Sequence, residues 1–182
     1  MYNTSKTETF RFWKTISARY VNNPVVAFYE LFNEPTRYRG TLGRETWEEH
    51  KDYMKEIIGI IYAHDTTVIP LVAGFNWAYD LTDTNDNPIN AEGIAYVTHP
   101  YPQKREQSWE EKWEADWGFA ADTYLVIATE LGFMSADRPG ARVPVISDEV
   151  HGEAIISFFE KKGISWAIWV FDSEWAPQLF NS

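Results

Sequence analysis

Two glutamates stand directly behind apolar runs in this chain of 182 residues. Glu34 follows residues 25–32 (VVAFYELF) and Asn33, and Glu130 closes residues 124–130 (YLVIATE). A pair of carboxyl groups can cleave an acetal, one protonating the leaving oxygen while the other attacks, or activates water at, the anomeric carbon. His99 and Tyr101 are two apart, so both side chains lie on one face of an extended chain. One can tune a nearby glutamate and the other can donate a hydrogen bond to it. Trp77 and Trp169 also sit at the ends of apolar runs, and flat amphipathic rings suit sugar faces as well as interiors. The chain carries nine Trp, ten Tyr and eleven Phe, more than one core of this size needs.

These residues act together only if a fold gathers the ends of their runs, and the pattern supplies one. Around residues 7–20, Phe10, Trp13, Ile16 or Ser17, and Tyr20 recur at helical spacing, and Asn22-Asn23-Pro24 ends the helix. Residues 25–32 read as a strand buried on both faces. Thr46-Trp47-Glu48-Glu49 is a capping box, opening a helix with the stripe Trp47, Met54, Ile57, Ile58 and Ile61. A second strand spans 67–73 despite Pro70, and a polar connection with at most a short helix covers 74–93. The third strand is 94–99. A further capping box, Ser108-Trp109-Glu110-Glu111, opens an aromatic helix to about Ala121. The fourth strand is 124–130, a loop covers 134–147, and a helix over 148–162 is stopped by Gly163. The fifth strand is 164–170. Strands without polar alternation that alternate with helices make a parallel sheet with helical crossovers. The expectation is one α/β domain over residues 1–182, its chemistry gathered at the carboxyl ends of the strands.

Composition removes other classes. Lys and Arg number 16 against 27 Asp and Glu, a formal charge of −11, which argues against nucleic acid or an anionic membrane as partner. With no cysteine, disulfide scaffolds, thiolate zinc sites and cysteine nucleophiles are excluded. No His/Asp/Glu spacing resembles a metal site, so neither metal nor cofactor is expected. No run approaches a membrane span, and the first residues, MYNTSKTETFRFWK, lack the apolar region of a signal peptide.

With the elements placed, residues 28–35 (FYELFNEP) resemble the Asn-Glu-Pro strand end of glycoside hydrolase family 5, the cellulase and mannanase family of (β/α)8 barrels. The resemblance implies that Glu34 is the general acid/base and that Asn33 holds the sugar's 2-hydroxyl. His99-Pro100-Tyr101 is similar to the family's sixth-strand His-x-Tyr. Residues 126–132 (VIATELG) look like the seventh-strand motif, which makes Glu130 the nucleophile, although Leu125 and Leu131 replace the common Pro and Phe. Residues 164–169 resemble the eighth strand, whose terminal Trp, here Trp169, floors the cleavage subsite. Residues 145–150 (VISDEV) offer Glu149 as a rival to Glu130. Glu149, however, stands behind Ser147 and Asp148 as N-cap candidates, where a first-turn acid favours the helix dipole. Trp77 is a candidate cleft aromatic, while Trp109, Trp113 and Trp117 read as packing. His50, His64 and His151 read as surface or capping residues.

The resemblance implies a partial TIM barrel, strands four to eight, since a full (β/α)8 barrel needs roughly 250 residues. The Arg and His that the family draws from its second and third strands have no counterpart here. The implied activity is a retaining endo-β-1,4-glucanase acting on β-linked polysaccharide, with mannan and xylan left open and secretion expected by family habit. The alternative is a folded, weakly active fragment with residual carbohydrate binding. A retaining enzyme needs its carboxyl groups about 5–5.5 Å apart. Strands 25–32 and 164–170 would each have an unpaired edge, and the inner faces of all five strands would face water. A homodimer is therefore expected.

Overall fold

The computed structural model describes residues 5–36 and 46–180. Residues 1–4 of the N-terminal stretch lie outside the described residues. Helix α1 (Lys6–Tyr20) starts at a closed Ser5/Glu8 capping box, and α2 (Trp47–Tyr62) at the expected Thr46/Glu49 box. The strands are β1 (Phe28–Glu30), β2 (Ile69–Ala73), β3 (Ala95–Thr98), β4 (Val126–Ala128) and β5 (Ser165–Trp166). They form one parallel sheet in the order β1-β2-β3-β4-β5. Two four-residue segments, α3 (Phe75–Ala78) and α4 (Asp83–Asp86), lie between β2 and β3. Helix α5 (Trp109–Asp116) joins β3 to β4, and α6 (Glu149–Lys162) joins β4 to β5. This is the partial (β/α)8 barrel that the sequence implied.

Alternation along each strand splits the apolar side chains between two layers. Tyr29, Val72, Tyr96, Val126 and Ala128 point to the helices and join Trp13, Met54, Ile57, Ile61, Trp117, Ile155 and Phe159 in the main core. Leu71, Ala73, Ala95 and Val97 form a second cluster on the opposite face. Both faces of β2 and β3 are covered, which explains their unbroken apolar runs. Trp113 and Trp117 are buried against Phe158, as their helical spacing suggested.

Several expectations need correction. The strands are shorter than the apolar runs, although hydrogen bonds from Ala167 N–H to Ala128 O and from Trp169 N–H to Leu131 O, both 2.8 Å, keep the chain alongside β4. Ser108 precedes α5 but its side chain makes no cap bond. The backbone leaves helical geometry at Trp117 (φ −157°), so α5 ends at Asp116 and a 3₁₀ turn, Gly118–Asp122, follows. His50 and His151 are not surface residues: both are 1 % exposed. His50 Nε2 lies 3.2 Å from Ala73 O, with the ring beside Trp47 and Phe75. His151 is caged by Trp109, Trp113 and Phe133, and burial pushes its pKa down to about 4. Finally, the inner faces are not all open. Leu71, Ala73, Ala95 and Val97 on the two strands after β1 bury one another, leaving Phe28 as the exposed inner residue at one edge.

Ile57 is fully buried between α2 and the sheet core. Ile57→Ala should lower unfolding free energy by about 2–5 kcal/mol, the cost of lost burial plus a cavity. Urea unfolding followed by tryptophan fluorescence measures this; a loss under about 0.5 kcal/mol would contradict the packing described.

Candidate active site

Six of the seven residues singled out by sequence, Asn33, Glu34, Trp77, Tyr101, Glu130 and Trp169, line a single cleft of about 990 Å³ beyond the strand ends. The seventh, His99, lies beneath it and is fully buried. A larger apolar share characterises another groove, between α6 and β5, but none of the paired carboxylates reaches it.

Parallel strands place these groups because β1, β3 and β4 end at the same edge of the sheet. His99 Nδ1 lies 3.1 Å from Glu34 Oε1 and 3.8 Å from Glu130 Oε2. Its Nε2 lies 2.9 Å from Thr129 Oγ1 and 3.5 Å from Glu30 Oε1. Tyr101 donates its hydroxyl to Glu130 Oε2 at 2.9 Å. The pairing therefore divides the His-x-Tyr motif, His99 serving Glu34 and Tyr101 serving Glu130.

Charge follows from this geometry. Burial alone would lower the pKa of His99, but Glu30, Glu34 and Glu130 outweigh it and hold the ring up at about 9. At neutral pH both ring nitrogens carry protons and both donate. Burial raises the pKa of Glu130 above the usual carboxylate range, while the His99 charge and the Tyr101 hydroxyl pull it back. The acceptor and donor atoms of Glu34, His99 and Glu130 all lie within 4.8 Å of one another, a span that would also suit a cation. Both His99 nitrogens already face Glu34 and Thr129, so the set is a hydrogen-bonded charge cluster.

Sequence reasoning missed three contributors. Glu30 is the third carboxylate, and its Oε1 is buried without a hydrogen-bond partner. Its signal was available, since a charge inside an otherwise apolar strand needs a nearby countercharge. Lys104 and Arg142 also line the cleft, but one ends a single 3₁₀ turn and the other lies in a loop, and neither carries a periodic signal.

The two tryptophans are placed by unusual backbone. Asn76, Trp77 and Ala78 are all left-handed, with φ of 58°, 58° and 56°, at about 1–2 kcal/mol per non-glycine residue. Gly74 permits the tight return, because a Cβ there would lie 2.0 Å from Asp80 O. Gly132 lets the Trp169 strand approach: an added Cβ would meet Trp169 O at 2.5 Å. Trp77 stays 42 % exposed and Trp169 half-buried, both open to the cleft.

Comparison with known proteins bears on what such a cleft acts on. The family described as cellulase (glycosyl hydrolase family 5) matches residues 1–174. Endoglucanase Z of Dickeya dadantii is 26 % identical over 171 residues, covering 93 % of this chain and 36 % of that protein. An endoglucanase of Bacillus sp. (strain KSM-635) is 28 % identical over 179 residues, covering 88 % and 18 %. The chain thus spans at most about a third of these curated relatives' length. Among solved structures, a β-glucanase of Saccharophagus degradans in complex with cellotetraose is 50 % identical with a TM-score of 0.95. That match covers all of this chain and 56 % of the other. The catalytic domain of the major endoglucanase of Xanthomonas campestris pv. campestris, 15 % identical with a TM-score of 0.81, shares the fold.

The His99 cluster makes part of the stability fall away at alkaline pH. The folded-state pKa of about 9 lies above the unfolded value near 6.5. The contribution is therefore complete below about 6.5 and is lost as pH rises through about 9. Imidazole NMR should place the His99 midpoint well above 7, and Glu30→Gln should move it down. A midpoint below about 6.5 in the wild type would contradict the cluster.

Proposed function

Since the chain belongs to glycosyl hydrolase family 5, the cellulase family, we propose that its cleft hydrolyses β-1,4-linked glucan internally and with retention of configuration. The observation that carries this is the carboxylate spacing: an oxygen of Glu34 and an oxygen of Glu130 lie within 4.8 Å. Retaining enzymes hold their carboxyl groups at about 5–5.5 Å, whereas inverting enzymes leave about 6.5–9.5 Å for a water.

In the first step Glu34 gives its proton to the glycosidic oxygen as Glu130 attacks the anomeric carbon, forming a glycosyl ester and releasing the leaving sugar. Glu34, now a carboxylate, takes a proton from water, whose oxygen displaces Glu130 from the same carbon. Tyr101 occupies Oε2 of Glu130 and leaves Oε1 for the attack. The buried His99 cation beneath both groups favours whichever of them is ionised at each step. Asn33 binds the 2-hydroxyl of the reacting sugar, and Trp77 and Trp169 receive sugar faces on either side. The cellotetraose held by the similar β-glucanase supports a linear β-glucan as substrate. A polymer of this kind is met outside the cell, so we propose an extracellular site of action. Among the described residues no helix is long and apolar enough to cross a membrane.

We also propose that this chain self-associates. Phe28 at one sheet edge and Trp166 and Ile168 at the other are 46 %, 40 % and 46 % exposed, and neither outer strand has a second strand partner among the described residues. Exposed apolar edges of this kind favour pairing. Light scattering should give about twice the 21.2 kDa chain mass; a monodisperse species at the single-chain mass would overturn this.

Hydrolysis of an aryl β-cellobioside tests the activity. Glu34→Ala and Glu130→Ala should each lower kcat by about 10²–10⁴-fold, and NMR of the first product should show the β-anomer. Initial release of the α-anomer would overturn retention, and unchanged rates in the variants would overturn the assignment.

A further inference from the structure

The left-handed turn at Asn76, Trp77 and Ala78 contains no glycine, yet it is tied to three separate parts of the site. Trp77 N–H donates to Pro35 O at 3.0 Å, beside Glu34. Ala78 O accepts from His99 N–H at 2.9 Å. Asn76 O accepts from Lys104 Nζ at 2.8 Å. The first two bonds come from backbone that any residue supplies, whereas the third depends on one side chain. The same ammonium lies 4.8 Å from the centroid of the Trp77 ring and 5.8 Å from that of Tyr79, within cation–π range.

Lys104 is itself firmly placed. It ends the 3₁₀ turn Pro102–Lys104, and its N–H donates to Tyr101 O at 3.1 Å. The next residue, Arg105, grips Asp116 through Nε at 2.6 Å and Nη2 at 2.7 Å, and Asp116 also accepts the Tyr79 hydroxyl at 2.7 Å. A two-pronged, charge-assisted bond of this sort fixes orientation as well as distance. The lysine stem therefore starts from a fixed backbone, and only its own rotamers remain to be ordered when its ammonium docks.

We infer that Lys104 is a positioning residue for glucan binding: its ammonium pins the strained turn through Asn76 O and sets the plane in which Trp77 meets a sugar ring. The inference rests on the reading of this cleft as a glucan site. Without the ammonium, the Asn76 carbonyl loses its side-chain donor and the turn loses a bond that holds it in an unfavourable backbone region. The indole then samples other orientations, and the glucan must order it on binding.

Four measurements on the full chain test this. In Lys104→Met, which keeps the apolar stem, the Trp77 indole N–H resonance, assigned through Trp77→Phe, should broaden or split while circular dichroism stays that of the wild type. Cellotetraose affinity, measured by calorimetry, should fall about fivefold. In a Trp77→Ala background the same lysine substitution should change affinity less than twofold, because its effect passes through the indole. Lys104→Arg, which keeps charge and donors, should recover much of the loss. A folded Lys104→Met with an unchanged Trp77 resonance would overturn the inference, as would an equal loss in the Trp77→Ala background. Should Lys104→Met fail to fold, the Lys104→Gln variant gives the same readouts. If the wild type binds no cellotetraose, the glucan reading of this chain falls, and the indole resonance still decides whether Lys104 holds Trp77.

Discussion

A fully buried imidazole ringed by three carboxylates is the interaction on which the rest of the molecule depends. Glu30, Glu34 and Glu130 approach one another closely enough to repel, and a single cation between them turns that repulsion into attraction. Removing one partner from a buried charge cluster typically costs about 3–5 kcal/mol. That penalty applies at the junction of β1, β3 and β4, so the strand ends are held together by the site itself as well as by the core beneath. The groups that would do the chemistry are also part of the structure's own fastening.

The aromatic positions extend the same logic outward. The ladder of the parallel sheet specifies where β2 ends, but not which way Trp77 faces. That is settled by a turn in an unfavourable region of backbone space, compensated by bonds to Pro35, His99 and Lys104. On the other side of the cleft, Gly132 achieves placement by omission, since any Cβ would push the Trp169 backbone away. One ring is held by added bonds and the other by a missing methyl group.

Much of this was legible in the sequence, and the reason is physical. A parallel sheet buried on both faces writes long apolar runs, and the side chains that end those runs meet at one edge, so Glu34, Glu130, His99 and Tyr101 could be picked out in linear order. Two of the three helix starts read as capping boxes or caps are realised by side-chain bonds at Thr46 and Asp148. The Ser108 motif shows the limit of such reading, because the same letters do not close a box there. His50 and His151 were misplaced because an imidazole can pack among aromatic rings, a choice made by tertiary neighbours. Glu30 was legible as a charge inside an apolar strand but was passed over for the carboxylates at the strand ends. Lys104 and the left-handed turn depend on contacts between residues 28 positions apart, and no local pattern encodes them.

The strand order has a consequence for how the molecule comes into being. Each strand pairs with the next one in the chain, so during synthesis every new strand finds a template already laid down by its predecessor. Domains emerge from the ribosome amino end first, and neighbour-to-neighbour pairing keeps the closing loops as short as a parallel sheet with crossovers allows. Glu30 ends β1 and Glu34 follows it, and both precede His99, the countercharge that β3 delivers. Glu130 arrives later still. A nascent chain therefore carries its carboxylates exposed and hydrated, and buries them only when the cation that neutralises them has been made. The linear order of the gene thus sets the neutralising cation between the carboxylates it joins, as it lies between them in the fold.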